Sequence, residues 1–433
     1  MSFQKNLVIG LMLFAFFLGA GNIIFPPALG QLAGDKLVIS MLGFLITGVG
    51  LPLVAVIAIA YSGGGLQTIA SRVHPLFGAI FTMIIYLTIG PIFAIPRTAT
   101  VSYEIGVAPF LQNSGGGMLA LFTVIFFVVT LVLSLNPAKL VDSIGKVLTP
   151  ILLIVIGVLA LKSIITPMGG FNEAQGDYAT HAFFRSFVEG YLTMDVLAAL
   201  VFGIIIINAI RSEGITEKRA VLKAMIIAGV IAATGLTLVY FSLSYIGATS
   251  VDAIGIQENG ATILTLSSIV LYGSAGAVIL ALTIIFACLT TAIGLVTSCA
   301  QYFHEVFPRL SYRTFVYIFT GVSTLIANVG LTQLIAFSVP VLLMIYPLAI
   351  VLMLLSFIDQ LFDRKPIVYI LALTATSFVS VFDGLKQVDI HVVAINKLIS
   401  RLPFHEQQIG WLIPAVVGTL IGIVISSLFK KRK

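Results

Sequence analysis

Leu18-Gly19-Ala20-Gly21-Asn22-Ile23-Ile24-Phe25-Pro26-Pro27 interrupts a run, residues 6–34, that carries no charged side chain. At 1.5 Å per residue such a run is long enough to cross a hydrocarbon core of about 30 Å. Pro removes a backbone donor and clashes with the preceding turn, and Gly lets the chain leave helical geometry. The stretch therefore predicts a break in the first membrane helix. Irregular backbone cannot face lipid, so a break at that depth must be buried in protein or line a watery cavity. Interrupted helices at the midplane are how secondary transporters build substrate and ion sites. A Pro kink or a small-residue packing face is the blander reading; two glycines, an Asn and a Pro pair within ten residues favour a site.

The rest of the composition agrees with a membrane protein. Of 433 residues, 59% are hydrophobic and 9% charged, with a mean hydropathy of +1.14; a soluble domain carries about 25% charged residues. The apolar runs are too long for the roughly ten-residue strands of an outer-membrane barrel, so the chain reads as all-α and polytopic. The net charge of +6 is no nucleic-acid signal, because the basic residues are scattered and the one dense cluster is Lys430-Lys431-Arg432-Lys433. The first apolar run is too long for a cleavable leader and has no small-residue cleavage site. Cys288 and Cys299 fall in one span, which argues against a disulfide framework. No P-loop, dinucleotide or zinc pattern stands in a credible context, so neither an enzyme nor an ATP-driven pump is expected.

Hydropathy predicts twelve helices, at 6–33, 37–61, 76–103, 117–136, 147–166, 183–210, 219–247, 273–302, 312–330, 333–357, 366–383 and 408–429. Residues 314–358 are too many for one helix, and Asn328-Val329-Gly330-Leu331-Thr332-Gln333 supplies a turn. With both termini in the cytoplasm of an inner (plasma) membrane protein, sixteen Lys and Arg fall inside, among them Lys5, Arg72, Lys139, Arg211 and Arg364. Seven fall outside, Arg97 and Arg185 among them, so the positive-inside rule supports this topology. The longer loops, 167–182, 248–272 and 384–407, then face outward. The sixth span carries its own interruption, Val188-Glu189-Gly190-Tyr191-Leu192-Thr193-Met194-Asp195, with two acids at a depth where ionisable groups are costly. Interruptions at the first position of each five-span half point to an inverted repeat, 1–166 against 183–357, with 366–429 peripheral.

Several segments resemble one family. Phe16-Phe17-Leu18-Gly19-Ala20-Gly21-Asn22-Ile23-Ile24-Phe25-Pro26-Pro27 with Leu29-Gly30 is similar to the bacterial branched-chain amino acid carriers, cation symporters for leucine, isoleucine and valine. So are Ile95-Pro96-Arg97-Thr98-Ala99-Thr100-Val101, Gly190-Tyr191-Leu192-Thr193-Met194-Asp195-Val196-Leu197-Ala198 and Val201-Phe202-Gly203. The likeness spans essentially the whole chain and implies a LeuT-type fold: ten core helices in two inverted halves, helices 1 and 6 broken, and two additional helices.

By that resemblance Gly19-Ala20-Gly21-Asn22 would meet the substrate carboxylate, through the amides of Ala20 and Gly21 at a half-helix N-terminus. Carbonyls around Gly190 to Thr193, or the hydroxyls of Tyr191 or Thr193, would meet the ammonium. Asp195 is a candidate counter-charge, proton carrier or structural acid; Glu189 is a second acid, closer to the outer end. Arg97 is placed toward the outer end of span 3, as a gate or snorkelling to the interface. In span 8, Ala287 with Thr290 and Thr291 sets a carbonyl and two hydroxyls one turn apart on one helical side. LeuT-type sodium symporters use this spacing, which implies a sodium site completed by the carbonyls of Ala15 and Leu18. Oxygen-only ligation suits a hard cation, although membrane Thr commonly bonds its own i−4 carbonyl. Ile23, Ile89, Phe202 and Ile285 are the candidate apolar lining.

The expected function is import of branched-chain amino acids coupled to sodium by alternating access, with no cofactor beyond the coupling ion. Proton coupling through Asp195 or Glu189 is the near alternative. A channel or a membrane-embedded sensor is the rival from another class; no filter loop or ring of like residues points to a pore. The partners are the small-molecule substrate and membrane lipid.

Overall fold

The computed structural model describes residues 3–111, 116–135 and 140–430, all helix, turn and loop without a strand. Lys139 and three members of the terminal basic cluster, Lys431, Arg432 and Lys433, lie outside the described residues. Among the described residues eight helices are long and apolar enough to cross a membrane, with three shorter apolar ones beside them.

Helix α1 (Phe3–Phe17) stops where the Leu18 N–H bonds Phe14 and the Gly19 N–H turns back on the Phe17 carbonyl. Helix α2 (Ala20–Ala33) starts at once on the other side of Gly19. The interruption is thus two residues long, and Pro26 and Pro27 sit inside α2 rather than ending it. Their fixed φ is helical; what they remove is the pair of N–H donors that the carbonyls of Asn22 and Ile23 would otherwise receive.

Helices α3 (Leu37–Leu45) and α4 (Leu51–Ser62) run on through one wide turn, Ile46–Gly50. Helix α5 (Pro75–Leu87) leads into a second discontinuity at Thr88–Ile92, where Gly90 is non-helical (φ −99°, ψ −127°) ahead of Pro91, before α6 (Ala94–Gly106) resumes. After α7 (Gly116–Ser134) and α8 (Leu140–Ile165), α9 (Tyr178–Glu189) gives way to a tight turn at Gly190–Thr193. Met194 then takes a left-handed conformation (φ 63°), and α10 (Asp195–Ser212) begins. A non-Gly residue held there costs on the order of 1–3 kcal/mol and marks backbone that its surroundings over-determine.

Helix α11 (Lys218–Ala248) precedes α12 (Gly260–Val306), which bends at Gly273 (φ 67°). Residues 248–272, expected as an outer loop, are therefore helical from Gly260 onward, and this segment packs on α2. The contact needs bare backbone. A Cβ on Gly260 would lie 1.7 Å from the Ile24 carbonyl oxygen, one on Gly247 2.1 Å from that of Pro27, and one on Gly30 2.0 Å from that of Ser244. Helices α13 (Tyr312–Ala327) and α14 (Leu331–Ile358) form the hairpin expected from Asn328-Val329-Gly330, with Gly330 at φ 87°. Helices α15 (Pro366–Lys386) and α16 (Leu412–Lys430) follow. Leu121, Val124, Val128 and Val132 on α7 are about half exposed at helical spacing, a face fit for lipid tails.

Gly260→Ala should lower stability in detergent by about 1–3 kcal/mol through overpacking. Gly294→Ala, where an added methyl meets no atom within 4 Å, should be neutral or mildly stabilising. Thermal unfolding of both variants checks the pair; equal stability would contradict the close approach of α12 to α2.

Candidate substrate and ion site

The three discontinuities meet at one cavity. The first break contributes Phe16, Phe17, Gly19, Ala20, Gly21 and Asn22; the second Ile89, Ala94, Arg97 and Thr98; the third Thr193, Met194, Asp195, Ala198 and Phe202. Thr291 and Leu295 of α12 complete the wall. At the α1 side Phe16 stacks on Phe202, centroids 5.2 Å apart and planes inclined by 24°.

The amides of Ala20 and Gly21 open α2 and so have no acceptor within their own helix. One side chain organises the junction around them. Asn22 Oδ1 accepts the Gly19 N–H at 2.9 Å, while Asn22 Nδ2 donates to both Asp195 oxygens at 2.9 and 2.7 Å. Tyr240 of α11 donates to Asp195 Oδ2 at 2.6 Å and also touches Asn22 Nδ2. Asp195 is 1% exposed and stands at the N-terminus of α10, so it ties α2, α10 and α11 together at the cavity wall.

Arg97 is neither at an interface nor in solvent. It is 2% exposed, and its guanidinium donates to the Leu192 carbonyl at 2.7 Å and to Ser338 Oγ at 3.3 Å. Its carbon lies 5.1 Å from the Phe25 ring centroid. Its burial among protein side chains corrects the expectation of an arginine snorkelling to the interface.

Of the other expected residues, Gly19, Ala20, Gly21, Asn22, Thr193 and Asp195 come together on the cavity, and Gly190 and Tyr191 do not line it. Gly190 packs against the α3–α4 turn, where a Cβ would fall 1.9 Å from Thr47 Oγ1. Tyr191 stacks on Tyr346 at 4.5 Å and lines a separate space of about 430 Å³ with Arg185, Glu189, Leu192 and Gln408. Glu189 there accepts from Arg185 Nε at 3.2 Å and from the Tyr178 hydroxyl.

Thr290 and Thr291 both donate to the Ala287 carbonyl at 2.9 Å, closing the turn on itself. Thr291 alone of the proposed cation ligands lines the cavity; Ala15, Leu18, Ala287 and Thr290 do not. The Thr291 methyl would lie 3.7 Å from a Cβ on Gly19, so α12 reaches the first break. Ile89 and Phe202 line the cavity as expected. Ile23 is buried elsewhere in the core, and Ile285 fills the space over Gly106 instead. The sequence reading missed Met194, Ser338, Tyr240 and the Gly90-Pro91 break; only the last carried a local signal.

The family model described as branched-chain amino acid transport protein matches residues 2–429. The chain belongs to that family. It is 51% identical over 425 residues to the branched-chain amino acid permease BraB of Bacillus subtilis, covering 98% of this chain and 96% of the relative. It is 40% identical over 418 residues to the branched-chain amino acid permease BrnQ of Escherichia coli K12, covering 96% and 94%. Among solved structures it is similar to Mhp1, a nucleobase-cation-symport-1 family transporter, in a closed conformation with bromovinylhydantoin bound. There the TM-score is 0.65 at 14% identity, over 99% of this chain and 93% of that one. It is also similar to MhsT in complex with L-phenylalanine, with a TM-score of 0.52 at 14% identity over 99% and 98%. The fold of this family member is thus an all-α polytopic one related to the LeuT-type transporters.

Tyr240→Phe removes one donor from the buried Asp195 cluster and should destabilise the protein by about 1–3 kcal/mol. Chemical denaturation in detergent measures it; an unchanged midpoint would show that Asp195 does not depend on α11.

Proposed function

We propose that this protein imports leucine, isoleucine and valine together with sodium, by alternating access around the cavity where the three interrupted helices meet. Secondary transport of branched-chain amino acids follows from its family. Sodium, the site residues and the inward direction are proposed from the site itself. Twelve spans are proposed, with residues 1–166 and 183–357 as two inverted halves, 366–429 peripheral and both termini cytoplasmic.

The observation that carries the reading is the start of α2 at Ala20 on the wall of a buried cavity. Two amides without intrahelical acceptors, at the positive end of a helix dipole, suit a carboxylate. Thr193, the residue of the Gly190–Thr193 turn that lines the cavity, offers an oxygen to an ammonium. Ile89, Ala198, Phe202 and Leu295 supply apolar surface for a branched side chain. Asp195, whose oxygens already accept three hydrogen bonds from Asn22 and Tyr240, is assigned the role of a brace rather than of a proton carrier.

For the ion, Thr291 is the residue best supported, because it alone of the proposed ligands reaches both the cavity and Gly19. Sodium at this position would take the Thr290 and Thr291 oxygens and the carbonyls of Ala15, Leu18 and Ala287. The hydroxyl protons would then rotate off the Ala287 carbonyl that they now occupy.

Leucine uptake into proteoliposomes, with sodium and proton gradients imposed separately, tests the coupling. Uptake should follow the sodium gradient; uptake indifferent to sodium but abolished by an uncoupler would overturn it. Thr291→Ala should raise the sodium concentration for half-activation roughly 2–10-fold, the worth of one neutral oxygen ligand. Unchanged sodium activation would remove the site.

A further inference from the structure

We propose that Arg97 is the residue that recognises the substrate's carboxylate charge, a reading that rests on the cavity being the amino acid site. A guanidinium stays protonated in any protein environment, so its charge must be answered where it is buried. Arg97 is 2% exposed, yet among the described residues no carboxylate lies within ion-pair distance of it. Its partners are neutral: the Leu192 carbonyl, the Ser338 hydroxyl and the face of Phe25. Its Nε is buried without any hydrogen-bond partner. The half-buried Arg72 and Arg185, by contrast, each have an acid beside them, Asp359 and Glu189.

The position of this unanswered charge is informative. Arg97 lines the cavity, and its Nη1 lies 3.0 Å from where a Cβ on Gly21 would stand. The guanidinium therefore faces the same small space as the first amides of α2. A carboxylate there receives backbone N–H groups from one side and a planar fork of donors from the other, the geometry for which Arg is suited. Gly21 is needed for this approach, because a side chain there would press on Arg97 Nη1.

The arrangement also ties binding to the backbone. Nη1 now holds the Leu192 carbonyl, at the turn between α9 and α10. Leu192 lines the second space on the α9 side, so Arg97 and its carbonyl partner separate the two cavities. A carboxylate in the cavity competes with the Leu192 carbonyl for the guanidinium, whereas a neutral ligand competes far less.

The test is competition against labelled leucine uptake by leucine, by leucinamide, whose carboxylate is a neutral amide, and by 3-methylbutylamine, which lacks the group. Wild type should prefer leucine over leucinamide by more than about 100-fold, given charge-assisted hydrogen bonds from two sides. Arg97→Gln should shrink that preference to less than about 10-fold, mainly by weakening leucine. Arg97→Lys should fall between the two. Ser338→Ala, which breaks only a neutral contact, should leave the preference as in wild type; a purely structural Arg97 would instead make Arg97→Gln lose leucine and leucinamide uptake alike, with the preference kept. A wild type that takes leucinamide as well as leucine overturns the proposal without any variant. So does an Arg97→Gln protein that keeps the full preference. Failure of wild type to take up leucine at all would instead sink the transport reading beneath it.

Discussion

A backbone that leaves helical geometry inside an apolar slab must find partners for the groups it releases, and Asn22 is where this chain meets that demand. Its Oδ1 closes the broken end through the Gly19 N–H, and its Nδ2 holds Asp195. One short side chain thereby fixes the start of α2 against the start of α10. Tyr240 adds α11 to the same point. A fully satisfied buried network of this kind is rigid, while one left incomplete would be strongly destabilising. The amides of Ala20 and Gly21 have no acceptor within α2, and in the proposed function they are the ones that meet the substrate.

The glycines of α2, α11 and α12 serve the same purpose from outside the junction. With Gly30, Gly247 and Gly260 the backbones meet almost carbonyl to Cα, so α2 is seated as a rigid element despite its two prolines. Association between helices in lipid relies on such close packing, because apolar burial alone gives no advantage over the tails. On the far side of Gly19, α1 is joined to α2 by Leu18 and Gly19 alone. The first span is thus divided into a firmly seated half and a half whose position is set by side-chain packing, the Phe16–Phe202 stack included.

Much of this was legible because membrane depth makes certain residues expensive. Gly19, Gly21 and Asn22 within an uncharged run favour released backbone over a kink or a packing face, and the acids of 188–195 mark the partner segment. The Pro pair misled: proline signals a missing donor, and in α2 the helix goes on without it. With span 3 taken as one smooth helix, Arg97 reads as a gate or as a side chain snorkelling to the interface. Gly90-Pro91 breaks it, and α6 therefore begins deep and carries Arg97 on its first turn. Met194, Ser338 and Tyr240 had no local signal, because a left-handed Met, a lone Ser and a lone Tyr acquire their roles only from tertiary neighbours. The helical stretch from Gly260 was concealed for the same reason, its small and polar residues being buried against α2 rather than shown to lipid.

The central claim is that the amino acid sits where the three breaks converge, and a cryo-electron microscopy map of the full-length protein with leucine and sodium addresses it most directly. The account predicts ligand density with its carboxyl end against Ala20 and Gly21, below Arg97, and its side chain toward Ile89 and Phe202. Leucine density in the space beside Tyr191 and Glu189, with the first cavity closed by protein side chains, would contradict it.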